Sequence, residues 1–136
     1  MSKGSYTVWK DFSFASAHRL PKHMGKCYNL HGHNYKLRVV LQGSNLDKAD
    51  FLIDFGEISK IVNEAIINKV DHAFIGSKED MPLDGSQKRY DIDFHSTAEN
   101  LTKHFYGILF MHYGELLKEV TLWETEKSGA TYTELF

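Results

Sequence analysis

Two histidines separated by one glycine form the most informative motif of the sequence. His31 and His33 lie in a stretch whose alternating residues predict a β-strand, so both imidazoles share one face, about 6.6 Å apart along the chain. A neighbouring predicted strand ends at His18, which can supply a third ligand across the hairpin. Three neutral histidines beside one open position are typical of catalytic zinc. Paired histidines that bind no metal also fit the spacing, and this alternative stays open.

One cysteine and one Asp-His pair could transfer protons beside such a metal. Cys27 lies in a polar loop, four residues before His31. A reactive thiol needs a neighbouring base or positive charge to form the thiolate. Asp71 and His72, at the end of a predicted helix, could supply that base if a turn brought their side chains together. The competing interpretations are a buried structural cysteine and an Asp-His pair that merely ends the helix.

Two glutamates, Glu99 and Glu124, differ in whether the predicted secondary structure around them accounts for a carboxylate at that position. Glu124 shares strand parity with Val120 and Leu122, and a carboxylate on an apolar face is costly unless it is paired or binds a ligand. Purine-like and pterin-like rings present adjacent N–H donors that a carboxylate accepts together. Glu99 follows Ser96 at the spacing of a helix capping box, so we interpret it as a capping residue.

The periodicity of the chain predicts the order strand, strand, helix, helix, strand, strand. The predicted strands cover residues 6–18, 31–42, 120–124 and 130–136. The helices are expected to begin at Asp54 and Ser96, and residues 76–94 to form a polar loop or lid. This order indicates an α+β fold with both helices on one face of a four-stranded antiparallel sheet. The two free sheet edges favour closure through oligomerisation.

Composition restricts the class of protein. The 136 residues suffice for one domain, which we place at 1–136, and 42% hydrophobic with 25% charged residues is ordinary for a soluble protein. A net charge of −2 gives no support for nucleic-acid binding, and no apolar run is long enough to cross a membrane. The start lacks the apolar stretch of a signal peptide, and a single cysteine excludes an internal disulfide framework. We therefore expect a cytoplasmic protein.

Five segments, in order along almost the whole chain, resemble the successive signatures of one family. They are FSFASAHRL at 12–20, CYNLHGHNY at 27–35, VDH at 70–72, STAEN at 96–100 and WET at 123–125. Each segment is a weak signal alone, whereas five in sequence are specific. Together they resemble the 6-pyruvoyl/6-carboxytetrahydropterin synthases.

This resemblance implies a role for each matched residue. The implied roles are zinc ligands for His18, His31 and His33, proton transfer for Cys27, Asp71 and His72, and pterin binding for Glu124, with Thr97 nearby. It also implies a tunnelling fold (T-fold), in which subunits join their sheets into a barrel. Trimers would stack in pairs into a homohexamer, with active sites between subunits.

The implied substrate is 7,8-dihydroneopterin triphosphate, and no redox cofactor is required. The three residues between Cys27 and His31 resemble the 6-carboxytetrahydropterin synthases of the queuosine and 7-deazapurine route, which release acetaldehyde and triphosphate. The 6-pyruvoyl enzymes of the biopterin route, which eliminate triphosphate, carry a longer gap and remain the alternative. A metal-binding module without catalysis and a zinc hydrolase are less favoured, since a hydrolase leaves Cys27 and Glu124 without a role.

Overall fold

Six strands form one sheet within the residues that the structure, a computed structural model, describes. These residues are 4–20, 25, 29–77 and 87–135. The strands are β1 (Tyr6–His18), β2 (His31–Gly43), β3 (Ala73–Gly76), β4 (Arg89–Asp91), β5 (Leu117–Thr125) and β6 (Ser128–Tyr132). They lie in the spatial order β4-β3-β1-β2-β5-β6. The α+β architecture predicted from the sequence is therefore confirmed, with β1, β2, β5 and β6 as its antiparallel part.

The β1–β2 hairpin is the longest pairing of the sheet and sets the position of the histidines. It runs without interruption from the Tyr6–Gly43 pair to the His18–His31 pair. Phe12 and Phe14 are buried, whereas their neighbour Ser13 is exposed. The alternation expected for a half-buried strand is therefore confirmed, and it assigns one face of the hairpin to the core.

Two short strands lie where the residue pattern predicted no strand. β3 pairs parallel to β1, and β4 pairs parallel to β3. The prediction of one loop over 76–94 is wrong at β4, which occupies Arg89–Asp91, while residues 78–86 lie outside the described part. Segments of three and four residues are too short to show a period, and only their tertiary partners make them strands.

The first helical region begins as predicted and has three parts. Helix α1 (Phe55–Val62) continues through a π-helical turn (Asn63–Ile67) into α2 (Asn68–Val70). Asp54 caps α1, and its carboxylate accepts a hydrogen bond from Gly56 N at 2.9 Å. The buried side chains of this region include Ile58, Val62 and Ile66, which follow one another at the spacing of one helical face.

The second helix, α3 (Ala98–Tyr113), starts one residue later than predicted. Its cap is Thr97, whose hydroxyl accepts a hydrogen bond from Asn100 N at 3.2 Å. The prediction of Ser96 as the cap is wrong, because the Ser96 hydroxyl lies 3.0 Å from His18. Glu99 is then the second helical residue, so its interpretation as a capping-box residue is also wrong.

The core lies between the sheet and the helices. β2 contributes Tyr35, Leu37, Val39 and Leu41, each at most 1% exposed. The opposite sheet face is more polar: Arg38 donates two hydrogen bonds to Asp11, at 2.7 and 2.9 Å. No helix in the described residues is long and apolar enough to cross a membrane.

Candidate metal centre and active site

Three histidines converge at the end of the β1–β2 hairpin where the chain passes from one strand to the other. His18 pairs with His31, and His33 lies opposite Ser16, so all three side chains share the core-facing side. Their ring centroids are 4.6, 4.9 and 5.1 Å apart. Their candidate ligand atoms all lie within 4.8 Å of one another. The strand register therefore brings together the three residues that the sequence predicted as metal ligands.

Hydrogen bonds to the backbone decide which ring nitrogens face the centre. His18 Nδ1 lies 3.0 Å from the carbonyl oxygen of Ser96, and His31 Nδ1 lies 2.6 Å from the carbonyl of Asn29. A carbonyl only accepts, so in both rings Nδ1 carries the hydrogen and Nε2 offers its lone pair. Within the described part of the chain, His18 Nε2 is buried without a hydrogen-bond partner. Such a buried lone pair, with two more imidazoles beside it, fits a divalent metal ion.

The surroundings of His18 and His33 favour the neutral imidazole, which is the form that binds metal. Burial, and to a smaller extent the nearby His31, lower the pKa of His18 from 6.5 to about 4. Burial also lowers the pKa of His33, against the opposing effect of the Glu124 carboxylate. Neutral imidazole is the ligand, so these two side chains need release no proton to bind an ion at neutral pH.

Ser96 supports the metal centre, a role that its capping spacing concealed in the sequence. Its hydroxyl and its carbonyl oxygen both lie 3.0 Å from His18 Nδ1, and its side chain is buried. Groups that hold the outer nitrogen of a ligating histidine fix the tautomer and the direction of the ring. The loop before α3 is therefore part of the centre.

Replacing Ser96 with alanine (Ser96→Ala) is expected to weaken metal binding by about 10-fold. This lies at the low end of the roughly 10–100-fold range for such outer partners, because the carbonyl contact remains. Competition with a chromogenic chelator measures the affinity. Thr97→Ala is the control, since it removes only the helix cap and costs about 0.5–2 kcal/mol of stability. An equal loss of metal affinity in both variants would contradict the role of Ser96.

Glu124 faces the metal centre from β5. Its Oε1 lies 3.1 Å from His33 Nε2, and its side chain is 29% exposed. The two atoms are close but not aligned as a hydrogen bond, since His33 Nε2 has no such partner among the described residues. The carboxylate is therefore a charged contact of the centre that remains reachable from solvent.

Tyr35 forms the floor beneath these residues, which the sequence did not indicate. It is 1% exposed, its ring stacks on Phe14 with centroids 4.9 Å apart, and its ring centroid lies 5.5 Å from that of His33. Burial, together with the Glu124 carboxylate, raises the pKa of its hydroxyl. The phenol is therefore neutral, and its ring packs against His33 without adding a charge to the site.

The Asp71–His72 pair is assembled by a turn at the end of α2. Asp71 Oδ1 accepts a hydrogen bond from Ala15 N at 2.9 Å and lies 3.1 Å from His72 Nδ1. His72 adopts a left-handed backbone conformation with φ of 61°, which allows the adjacent side chains to meet. The hydrogen bond from Ala15, with a smaller contribution from His72, holds the pKa of Asp71 below its usual range. An anionic aspartate therefore stands beside the imidazole.

The described residues thus form two groups of predicted site residues, the three histidines with Glu124 and the Asp71–His72 pair. His72 is 81% exposed and lines an open pocket of about 410 Å³ beside Ala15 and Gly32. Thr97 lies next to the histidine centre, but its hydroxyl serves the helix cap. Cys27 lies outside the described residues.

Comparisons with known proteins find related sequences along most of the chain. The profile of the family described as "6-pyruvoyl tetrahydropterin synthase" matches residues 7–135. A Haemophilus influenzae protein named 6-carboxy-5,6,7,8-tetrahydropterin synthase is 34% identical over 141 residues, covering 95% of this chain and 99% of that protein. A Dictyostelium discoideum protein named 6-pyruvoyl tetrahydrobiopterin synthase is 32% identical over 130 residues, covering 88% and 89%.

A solved structure gives the same result for the fold. The Caenorhabditis elegans 6-pyruvoyl tetrahydropterin synthase superposes with a TM-score of 0.76 at 26% identity, covering 99% of each chain. The subunit fold that the resemblance implied is therefore confirmed, and so is the resemblance itself. The chain belongs to the 6-pyruvoyl tetrahydropterin synthase family.

Proposed function

We propose that this chain is a zinc-dependent 6-carboxy-5,6,7,8-tetrahydropterin synthase. It would convert 7,8-dihydroneopterin triphosphate and one water into 6-carboxytetrahydropterin, acetaldehyde and triphosphate. The observation that carries the proposal is the Glu124 carboxylate, which lies 3.1 Å from His33 at the edge of the histidine centre. A carboxylate suited to bind a pterin ring therefore lies beside three histidines suited to bind a metal ion.

Glu124 would anchor the ring. A carboxylate accepts two hydrogen bonds from the adjacent N–H donors of a pterin, which fixes the orientation of the ring as well as its position. The substrate side chain would then extend toward His18, His31 and His33. These three histidines would hold a zinc ion, whose positive charge would make the neighbouring groups of the substrate side chain more acidic.

Cys27 and His72 would move the protons. As a thiolate, Cys27 would remove a proton from the side chain, and His72 would return one to another carbon. The Asp71 carboxylate, at 3.1 Å, would hold the Nδ1–H of His72 and leave Nε2 for the substrate. The ring is reduced at the expense of the side chain, so the balance needs no external reductant.

We also propose that the active site is shared between subunits of a homohexamer built from two trimers. Three features support this: His72 is 81% exposed, its pair is anchored to β1 at Ala15, and the helix-free sheet face exposes Trp9 to 52%. An exposed catalytic imidazole gains a dry environment only when another surface covers it. The assembly would act in the cytoplasm, in queuosine and other 7-deazapurine synthesis.

A 6-pyruvoyl synthase is the second candidate. The Dictyostelium discoideum relative, at 32% identity, bears that name. Both reactions start from the same triphosphate and would use the same metal, ring anchor and proton-transfer groups. They differ in whether a carbon–carbon bond of the side chain is cleaved, so the products distinguish them.

The test is incubation of the zinc-loaded protein with 7,8-dihydroneopterin triphosphate, followed by product analysis. Acetaldehyde and 6-carboxytetrahydropterin in equal amounts are expected. Triphosphate release with a 6-pyruvoyl product and no acetaldehyde would select the second candidate. Absence of turnover with zinc bound would contradict both and favour a metal-binding module.

Replacing Glu124 with glutamine (Glu124→Gln) is expected to weaken binding of a pterin by roughly 1–3 kcal/mol, the scale of a hydrogen bond to a charged group. Calorimetry with neopterin measures the affinity, and metal content is determined on the same sample. Glu126→Gln, an exposed glutamate after β5, is the matched control. Unchanged neopterin affinity in the Glu124 variant would remove this residue as the anchor.

A further inference from the structure

The Lys88 side chain binds the turn that carries the Asp71–His72 pair. Its Nζ donates one hydrogen bond to the backbone oxygen of Asn68 at 2.8 Å and another to that of Asp71 at 2.7 Å. Lys88 is itself fixed just before β4, because its backbone oxygen accepts a hydrogen bond from Phe74 N at 3.0 Å. The ammonium therefore links the end of α2 to the β3–β4 pair.

The turn needs support from more than one side. Helix α2 ends at Val70, Asp71 is extended with ψ of 126°, and His72 is left-handed with φ of 61°. A residue other than glycine persists in that conformation only where its surroundings hold it. On the β1 side, Ala15 supplies two hydrogen bonds: its N–H donates to the Asp71 carboxylate, and its oxygen accepts from His72 N at 2.6 Å.

The opposite side of the turn presents carbonyl oxygens without helical partners. The last carbonyls of a helix carry a partial negative charge and are stabilised by a lysine ammonium. Lys88 provides this charge at the carbonyl of Asn68 and continues to that of Asp71, immediately before His72. Its positive charge also contributes to the low pKa of Asp71, after the larger effects of Ala15 and His72.

The His72 ring depends on this backbone for its direction. Its side chain is 81% exposed, so packing restrains it little, and its position follows from the turn and from Asp71 Oδ1 at 3.1 Å. We propose that Lys88 is a positioning residue: by holding the carbonyls of Asn68 and Asp71, it fixes the turn that aims His72. This rests on the proposed function, in which His72 transfers a proton to the substrate.

The test compares Lys88→Met, which keeps the aliphatic length without the ammonium, with Lys88→Arg, which can still donate to both carbonyls. Lys69→Met is the matched control, because Lys69 is an exposed lysine of the same helical turn. Each zinc-loaded variant is assayed with 7,8-dihydroneopterin triphosphate, and rates are expressed per folded, metal-bound chain. Histidine-labelled samples give the NMR signals of the His72 ring, which a His72→Gln spectrum assigns.

For Lys88→Met, we expect kcat to fall roughly 10–100-fold with KM changed less than about 3-fold, as for a catalytic group displaced by about 1 Å. The His72 ring signals should shift, Lys88→Arg should recover most of kcat, and Lys69→Met should match the wild type. A merely structural role would lower the melting temperature while leaving kcat per folded chain unchanged, and that result would overturn the proposal.

Two further results would also overturn it. A raised KM with unchanged kcat would identify Lys88 as a ligand of the substrate triphosphate, and unshifted His72 signals in Lys88→Met would show that the ring does not depend on Lys88. Failure of the proposed function is a separate outcome: the wild type would then lack turnover. The ring signals would still decide whether Lys88 positions His72.

Discussion

Replacing His72 with glutamine (His72→Gln) is expected to lower kcat by about 10²–10⁴-fold, the range for loss of a general acid–base group. The side chain is 81% exposed, so its removal leaves no cavity and the fold should persist. It does not belong to the histidine triad, so zinc content should stay at the wild-type value. Steady-state kinetics and metal analysis of the same sample measure both.

The control for this variant is His112→Gln, an exposed histidine in the last turn of α3. It should retain the wild-type kcat, which excludes a general effect of losing one imidazole. Wild-type kcat in His72→Gln would contradict a role in proton transfer. Loss of zinc in that variant would contradict the separation of the Asp71–His72 pair from the metal ligands.

Replacing His31 with alanine (His31→Ala) is expected to weaken zinc binding by more than 100-fold and to abolish turnover. Loss of an outer partner alone costs about 10–100-fold, so loss of a direct ligand should cost more. His31 is more suitable for this test than His18, which is 1% exposed, so that its removal would also disturb the core. Chelator competition gives the affinity, and the pterin assay gives the turnover.

His112→Ala serves as the matched control for this substitution and should bind zinc as the wild type does. Circular dichroism of the metal-free His31→Ala protein should show the wild-type spectrum, since the ring is only partly buried. Unchanged zinc affinity in His31→Ala would show that the ion binds elsewhere. Full turnover without bound zinc would show that the reaction does not need the centre.

The cluster of three histidines was predictable because a strand obeys a strict period of two. His31 and His33 share a face whatever the sheet around them, and the buried residues Phe12 and Phe14 mark the same face on β1. His18 follows at that parity and meets His31 across the hairpin. Local pattern therefore places the three histidines on one face, and the register of the hairpin brings His18 to His31.

Other parts of the site depend on tertiary contacts that no local pattern shows. Ser96 and Thr97 are adjacent hydroxyl residues that both fit a helix cap, and only the contact of Ser96 with His18 separates their roles. Lys88 donates to carbonyls 17 and 20 residues away. In the sequence nothing distinguishes it from an ordinary surface lysine. The Asp71–His72 contact depends on the left-handed backbone conformation of His72. Residues other than glycine adopt this conformation uncommonly, so the sequence pair alone did not predict the contact.

The most direct test of the account is a zinc titration of the metal-free protein, with turnover of 7,8-dihydroneopterin triphosphate measured at each addition. We expect activity to be absent without metal, to rise in proportion to bound zinc, and to reach its maximum at one ion per chain. The same titration of His31→Ala should give no rise over that range. Activity without zinc, or one bound zinc per chain without activity, would contradict a pterin synthase built on His18, His31 and His33.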